Sequence, residues 1–513
     1  MKEDSKKGLF SSFLSVVEKI GNKIPDPMLL FIYLCIGVIV FSFIGAKVGF
    51  SAINPTSGEL VETYNLLSKE GFIRMLTSAV SNYTGVSALG LVLVCMMGVG
   101  LCDASGLFTV TFRGLVDKSK GSDLKIITVF CFLCVMADCA GGTGFVVMPP
   151  LAAIVWSSMG RNPLAGMLTA YAAVSGAFAS NLLVTSQDVL NLSFTQEAAN
   201  LLDPELQLTP AMNWYFSAVS TIILTIVTVL ICVKIVEPRL GKYRGNVTET
   251  AIETTQKEIV ALRNAGISLI AYIIIVVALV MSGVLRTDGG SVLSSSSPFM
   301  KSLTLLIALM FAIPGVTFGF SSGRFTNFRD VSAALTQSMA SMGNYVALIF
   351  FVGQFLNYFN WSNLGIILAV KGATALEASG LPSWAILVIF VLMSSILNLF
   401  IGSASNKWSV LSTVFVPMFM IMGYHPALIQ MAYRIGDAVT NPLCPTFAYF
   451  GMLLATAQKY DEKAGFGTLM SNMMPFTLAF CGYMIIQLLF WFFFNIPLGP
   501  GGPIHFPAIL ERA

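Results

Sequence analysis

The chain has 513 residues, of which 56% are hydrophobic and 11% are charged, and its formal net charge is +3. Soluble domains carry about a quarter charged residues, so this composition argues against a water-soluble protein. The lysines and arginines lie in short loops rather than in one basic patch, which argues against nucleic acid as a partner. The composition predicts an all-α integral membrane protein whose surroundings are the lipid bilayer.

The N-terminal segment, residues 1–26, is predicted to be cytoplasmic and amphipathic. No short apolar run in it is followed by a small-residue cleavage site, so we expect no removable signal peptide. We expect a multi-pass protein of the bacterial inner membrane. The excess of lysine and arginine in alternate loops predicts that its N-terminus is inside.

About nine apolar spans are predicted, together with two pairs of shorter arms, in two repeats. The spans are expected at about 27–48, 86–103, 163–190, 214–236, 265–284, 302–320, 333–359, 426–454 and 473–496, with an interfacial helix at 361–380. The larger units are the first repeat (27–240), a cytoplasmic linker (241–263), a connecting span with an outer loop (264–298), the second repeat (299–497) and a C-terminal tail (498–513).

Each pair of short arms is predicted to form a re-entrant helical hairpin. Hairpin 1 lies at about 126–159 and hairpin 2 at about 382–422, and a polar, glycine-containing tip joins the arms of each. The basic residues of the neighbouring loops place both ends of hairpin 1 inside and both ends of hairpin 2 outside. The two repeats are therefore expected to be inverted.

The segments that follow the hairpins repeat one another. Met159-Gly160-Arg161-Asn162-Pro163 ends hairpin 1, and Met422-Gly423-Tyr424-His425-Pro426 ends hairpin 2. Each following span, 163–190 or 426–454, contains a polar run that predicts a break in the helix. A proline kink is the simpler alternative, but paired breaks in inverted repeats are typical of secondary transporters.

Ionisable residues within membrane spans are costly and mark functional sites. The candidates are Asp138, Asp188, Lys407, Arg434 and Asp437. Arg434 and Asp437 lie three residues apart on one helical face, so they either form a structural ion pair or act separately. In the second case Arg434 binds a substrate carboxylate, and Asp437 binds or exchanges a coupling cation.

The coupling ion is expected to be sodium or a proton. Asn398, Asn441 and Gly402 are candidate ion-binding residues with Asp437, and sodium is expected at Asn398 and Asp437. The two histidines lie outside the predicted membrane core. Carboxylates, first Asp437 and Asp188, are therefore expected to carry any proton.

The remaining candidates concern the substrate. Asn181 lies in the first polar run, and Trp408 follows the tip of hairpin 2. Trp408 either anchors the chain at the membrane interface or stacks on an aromatic substrate.

Motifs along nearly the whole chain resemble the AbgT family of p-aminobenzoyl-glutamate transporters. These motifs are Ile20-Gly21-Asn22-Lys23-Ile24-Pro25, Leu29-Leu30-Phe31-Ile32-Tyr33-Leu34, Met148-Pro149-Pro150, Asp188-Val189-Leu190, Asn213-Trp214-Tyr215-Phe216, Glu237-Pro238-Arg239-Leu240-Gly241, Phe415-Val416-Pro417-Met418-Phe419 and Tyr433-Arg434-Ile435-Gly436-Asp437.

The resemblance implies a homodimer that carries p-aminobenzoyl-glutamate or related antifolate-like and sulfonamide compounds, by import or by export. By matching position it places functional residues at Asp188, Asn398, Ser405, Trp408, Pro426, Arg434, Asp437 and Pro445. The tip of hairpin 1 departs from the family, since Gly141-Gly142-Thr143 replaces the Ser-Ser-Asp of some members.

Other classes fit less well. A dicarboxylate or short-chain fatty-acid carrier of related architecture is the alternative among transporters. A membrane enzyme needs a nucleophile-and-base or metal-ligand cluster, which the sequence does not offer. A channel needs a ring of pore-lining residues from several subunits.

Overall fold

The computed structural model describes residues 27–53, 59–111, 122–140, 143–243, 254–286, 292, 297–401, 403–444, 447 and 449–506. The predicted N-terminal segment, 1–26, lies outside these residues. Within them the chain is mainly helical, and two short strands, β1 (Ser51–Ile53) and β2 (Leu60–Glu62), pair antiparallel in the segment that follows the first predicted span.

The helices account for most of the described residues. In chain order they are α1 (Pro27–Val48), α2 (Lys69–Thr77), α3 (Ala79–Thr84), α4 (Ser87–Ser105), α5 (Asp123–Met136), α6 (Thr143–Ser158), α7 (Pro163–Gly176), α8 (Ser186–Ala199), α9 (Trp214–Ile231), α10 (Glu237–Leu240), α11 (Gln256–Met281), α12 (Pro298–Lys301), α13 (Leu303–Ser322), α14 (Phe328–Ser341), α15 (Gly343–Trp361), α16 (Leu364–Ala378), α17 (Ser383–Phe400), α18 (Ala404–Ile421), α19 (Pro426–Thr440), α20 (Phe450–Gln458) and α21 (Phe466–Phe493).

Six helical segments of the described chain are long and apolar enough to cross a membrane. They are Phe31–Val48, Trp214–Leu240, Gln256–Met281, Leu303–Ser322, Ser383–Phe400 and Gly467–Phe493. The pair Phe328–Ala340 and Tyr345–Trp361, bent by 43°, makes a seventh if it is one span. The predicted count of nine spans stays a prediction.

Several element bounds differ from those expected. Helix α11 begins at Gln256, inside the predicted linker, because Thr255 and Glu258 form a capping box there. The span predicted at 163–190 continues to Ala199, because a new helix begins after Thr185. The span predicted at 426–454 continues to Gln458, and the one predicted at 333–359 is divided at Met342.

The two repeated motifs form the same turn. Gly160 and Gly423 have φ of 68° and 83°, in the left-handed region that glycine adopts without strain. In both turns the amide of the residue after the glycine donates a hydrogen bond to the carbonyl five residues earlier. These bonds run from Arg161 N to Trp156 O and from Tyr424 N to Phe419 O. Asn162 and His425 then cap the helices that begin at Pro163 and Pro426. Equal spacing in the sequence therefore corresponds to equal local structure.

Each of these capped helices packs against both arms of the hairpin that precedes it. Helix α7 contacts α5 and α6, and α19 contacts α17 and α18. A second group of helices surrounds α4, which packs against α13 and α14. Helix α8 joins the two groups, since it contacts both α18 and α4. Polar side chains of the first group are therefore enclosed by helices on several sides.

The predicted tail is part of the packed structure as far as Phe506. His425 N donates to Ile504 O at 3.0 Å, and Phe506 N donates to Gly423 O at 2.9 Å. Leu498 and Ile504 are fully buried. His425, which caps α19, is buried beneath this segment, and its place outside the membrane core stays a prediction.

Candidate functional site

Both predicted breaks are present, and they lie side by side. Helix α7 gives way to a 3₁₀ turn, Ala177–Ala179, and then to extended backbone at Ser180. Helix α19 gives way to a 3₁₀ turn, Asn441–Leu443, and then to extended backbone at Cys444. Helix α19 contacts the first 3₁₀ turn and α7 contacts the second. Each break is thus in contact with the broken helix of the other half.

Arg434 and Asp188 form a buried ion pair between the two broken helices. Arg434 Nη1 donates to Asp188 Oδ1, and Arg434 Nε donates to the carbonyl oxygen of Phe178 at 2.9 Å. The second carboxylate oxygen of Asp188 accepts from Thr185 N at 2.6 Å and from Thr185 Oγ1 at 2.9 Å. Asp188 therefore completes the capping box of α8 with Thr185, and it also neutralises Arg434.

Asp437 pairs with Lys407, not with Arg434. Lys407 Nζ lies 2.5 Å from Asp437 Oδ1 and also donates to Asn398 Oδ1. Asn441 Nδ2 donates to Asp437 Oδ2 at 3.3 Å. Of the two alternatives that the sequence left open, the Arg434–Asp437 ion pair is wrong, because each residue contacts a partner of opposite charge on another helix.

Lys407 occupies the place at which sodium was expected. Asn398 Oδ1 and Asp437 Oδ1 are the two oxygens that were to bind the ion, and both contact the Lys407 ammonium. With Lys407 in this position the residues do not fit a sodium ion. The sequence revealed Lys407 as an ionisable residue at the hairpin tip but gave it no place in the site.

Trp408 is fully buried and lies neither at an interface nor against open space. Its ring stacks on Tyr433 with centroids 4.5 Å apart and an angle of 20°. Its Nε1 donates to Thr195 Oγ1 at 2.8 Å and to Asn191 O at 3.2 Å. In this conformation Trp408 joins α18 to α8 and α19, and it leaves no ring face for a substrate.

The other predicted residues lie near the breaks or beyond the described part of the chain. Asn181 is buried in the first break, where its Nδ2 donates to Val135 O at 3.4 Å. Ser405 is half-buried, and its hydroxyl oxygen lies 3.4 Å from that of Ser403. Pro426 begins α19. Gly402 and Pro445 lie outside the described residues.

An aromatic cluster beside the ion pair was missed by the sequence analysis. It consists of Phe145, Phe178, Phe447 and Tyr449. Phe145 stacks on Tyr449 at 4.9 Å and 2°, and Phe447 contacts both Phe145 and Phe178. The carbonyl of Phe178 is the one that binds Arg434, so the cluster adjoins the charged pair. Its members come from hairpin 1 and from both breaks, and no short motif joins them.

Asp138, at the tip of hairpin 1, is a third buried carboxylate. Its side chain is 4% exposed, and Oδ2 has no hydrogen-bond partner within the described residues. The charges of Arg434 and Asp188 act on it, and its 3₁₀ turn contacts the first break. Together with Asp188, Asp437, Lys407 and Arg434 it makes three carboxyl groups and two cations.

The comparisons with known proteins identify the family. Residues 12–506 match the family model described as "AbgT putative transporter family". The chain belongs to the AbgT transporter family. It is 36% identical over 489 residues to the p-aminobenzoyl-glutamate transport protein of Escherichia coli K12, covering 94% of this chain and 95% of that one. The resemblance drawn from the motifs is therefore confirmed.

Two solved structures show the same fold. The YdaH transporter of Alcanivorax borkumensis is 37% identical, with a TM-score of 0.88 over 93% of this chain and all of that one. MtrF of Neisseria gonorrhoeae, described as illuminating a class of antimetabolite efflux pumps, is 38% identical, with a TM-score of 0.88 over 96% of this chain and all of that one. The predicted all-α, multi-pass membrane transporter fold is confirmed, and the chain is not an enzyme.

We predict that Arg434 and Asp188 stabilise the fold as a unit. Arg434→Met and Asp188→Asn each leave one buried charge without its partner, which costs about 3–5 kcal/mol. Because both variants remove the same interaction, the double variant should lose much less than the sum. Unfolding of the purified protein in detergent measures the three losses. Additive losses would contradict the unit, and the exposed Arg329→Met is the control.

Proposed function

We propose that this chain is a secondary transporter of p-aminobenzoyl-glutamate and related aromatic, antifolate-like or sulfonamide compounds. The observation that carries the proposal is the buried Arg434–Asp188 pair between two broken helices. A guanidinium binds a carboxylate through two parallel hydrogen bonds, so a carboxylate of the glutamate moiety can replace Asp188 on Arg434. The names of the relatives support the substrate class.

The proposed setting is the bacterial inner membrane, with the N-terminus in the cytoplasm and two copies of the chain in a homodimer. The basic loops support this orientation. Helix α11 supports extensive contact with lipid or a second copy, because Ile267, Ile270 and Ile274 are each more than half exposed. The inverted repeat belongs to the same proposal, and the matching turns before Pro163 and Pro426 support it.

The proposed coupling ion is the proton, and Asp138 carries it. Asp188 and Asp437 already neutralise Arg434 and Lys407. Asp138 is the remaining buried carboxyl group of this site, and a proton on it makes the five groups electrically neutral. A carboxyl group without a cationic partner is also the one that exchanges a proton without breaking an ion pair.

The aromatic cluster is the proposed site for the benzoyl ring. Tyr449 and Phe178 are half-buried, whereas Trp408 is fully buried against Tyr433. A ring held by the cluster would lie beside Arg434, whose Nε binds the carbonyl of Phe178. The aromatic ring and a carboxylate of one substrate would thus meet adjacent groups of the protein.

Flux in proteoliposomes tests the proposed transport. With labelled p-aminobenzoyl-glutamate we expect a proton gradient to drive flux and a sodium gradient alone to drive none, in assays run in both directions. Arg434→Lys should lower flux by about tenfold or more, since an ammonium cannot form the two-bonded contact. Arg329→Lys, on the exposed face of α14, should leave flux unchanged. Undiminished flux in Arg434→Lys would contradict the carboxylate contact.

Asp138→Asn tests the proton carrier. The amide has the shape of the carboxyl group but cannot release a proton, so a pH gradient should no longer drive accumulation. Exchange of labelled for unlabelled substrate should persist, because no net proton movement is needed. Asp123→Asn, on the more exposed start of the same hairpin arm, is the matched control. Accumulation that survives in Asp138→Asn would assign the proton to another group.

The ring site is tested by substrate comparison. Tyr449→Leu should raise KM for p-aminobenzoyl-glutamate about 2–10-fold, which corresponds to the loss of one aromatic contact of about 0.5–1.5 kcal/mol. KM for an aliphatic acyl-glutamate should stay unchanged. Phe320→Leu, in an aromatic group with Phe325 and Phe328, is the control. An equal rise for both substrates would mean a general structural effect.

A further inference from the structure

Lys407 places a buried ammonium between two oxygens that are suited to a metal cation. Lys407 lies in the first turn of α18, just after the tip of hairpin 2, and is 3% exposed. Its Nζ contacts Asp437 Oδ1 at 2.5 Å and Asn398 Oδ1. One oxygen comes from α19 and the other from α17, so three helices meet at this charge.

The surrounding hydrogen bonds fix the direction in which Asn398 points. Its Nδ2 donates to Asp437 O at 2.8 Å, to Thr440 Oγ1 at 3.0 Å and to Asn441 Oδ1 at 2.8 Å. With the amide nitrogen directed toward the second break, the amide oxygen is directed toward Lys407. The site therefore offers one neutral and one charged oxygen to a cation, and bonds to the backbone and side chains at the end of α19 hold the neutral oxygen in place.

A sodium ion cannot share these oxygens with Lys407. Two unit positive charges at contact distance repel each other strongly in a water-poor interior. Asp437 supplies one negative charge, which Lys407 already balances. A second cation would leave this group of side chains with an uncompensated positive charge, at a depth where such charges are costly.

We propose that the Lys407 ammonium serves as a built-in cation at the oxygen site formed by Asn398 and Asp437, so that this transporter binds no sodium there. This role of Lys407 concerns the coupling ion of the proposed transport and in that respect rests on the proposed function. Its evidence is the contact of Lys407 with the two oxygens. The tethered ammonium supplies the positive charge that joins hairpin 2 to the second break. Removal of that charge converts the site into one that accepts sodium.

Thermal unfolding of the purified full chain, with no substrate present, tests the assignment. The probe is sodium chloride against potassium chloride and choline chloride at equal ionic strength. The unaltered protein should unfold at the same temperature in all three salts. Lys407→Ala, which opens the space between the two oxygens, should unfold about 1–3 °C higher in sodium than in potassium, because an ion that binds the folded state stabilises it.

Two further variants separate charge from shape. Lys407→Arg keeps the charge and should show no sodium effect. In Lys407→Ala with Asn398→Ala, the sodium effect should disappear, because one of the oxygens is gone. If Lys407→Ala does not fold, Lys407→Gln takes its place in the same comparison, with the same expected rise in sodium.

Two results would overturn the assignment. One is a sodium-specific rise in the unaltered protein that Asn398→Ala abolishes, since this would show that sodium binds beside Lys407. The other is a neutral variant that folds but responds equally to all three salts, since its oxygens would then not form a cation site. Neither readout involves p-aminobenzoyl-glutamate, so a failure here is distinct from a failure of the proposed flux.

Discussion

The buried contact between Arg434 and Asp188 is the constraint on which the site depends. An ion in the membrane interior is tolerated when its charge and its hydrogen-bonding groups are satisfied. Arg434 meets both needs, since it pairs with Asp188 and also binds the free carbonyl of Phe178 at the first break. One side chain thereby stabilises the break of the other half and fixes the two halves against each other.

Other backbone carbonyls of the hairpins and of the broken helices accept side-chain hydrogen bonds in the same way. Asn398 donates to the carbonyl of Asp437, Asn181 to that of Val135, and Tyr433 Oη to that of Ala404 at 2.5 Å. Irregular backbone at membrane depth requires such partners, because no lipid group can supply them. The polar residues of the site therefore have a structural task besides any contact with substrate. Movement of one broken helix would have to exchange several of these bonds together.

The sequence predicted the elements better than the contacts. Apolar length and helix starts marked by proline placed α7, α19 and the arms of both hairpins, because these signals are local. The partners of Arg434 and Asp437 could not be predicted that way. Three-residue spacing left open whether they pair with each other, whereas their actual partners are 246 and 30 residues away in the chain and meet them only through packing. The position of Trp408 could not be predicted for the same reason, since its burial against Tyr433 depends on how α18 and α19 meet.

The two halves share the same local backbone structure but carry different ionisable residues. Both present a glycine turn, a capping residue and a helix that begins with proline and then breaks. The first half contributes the carboxyl groups of Asp138 and Asp188, and the second contributes Arg434 and the Lys407–Asp437 pair. A symmetric scaffold with unequal charges can divide the work. The net positive charge of the second half suits the proposed binding of an anionic substrate by Arg434. The carboxyl groups of the first half suit the proposed exchange of Asp188 for that substrate and the proposed transfer of a proton by Asp138.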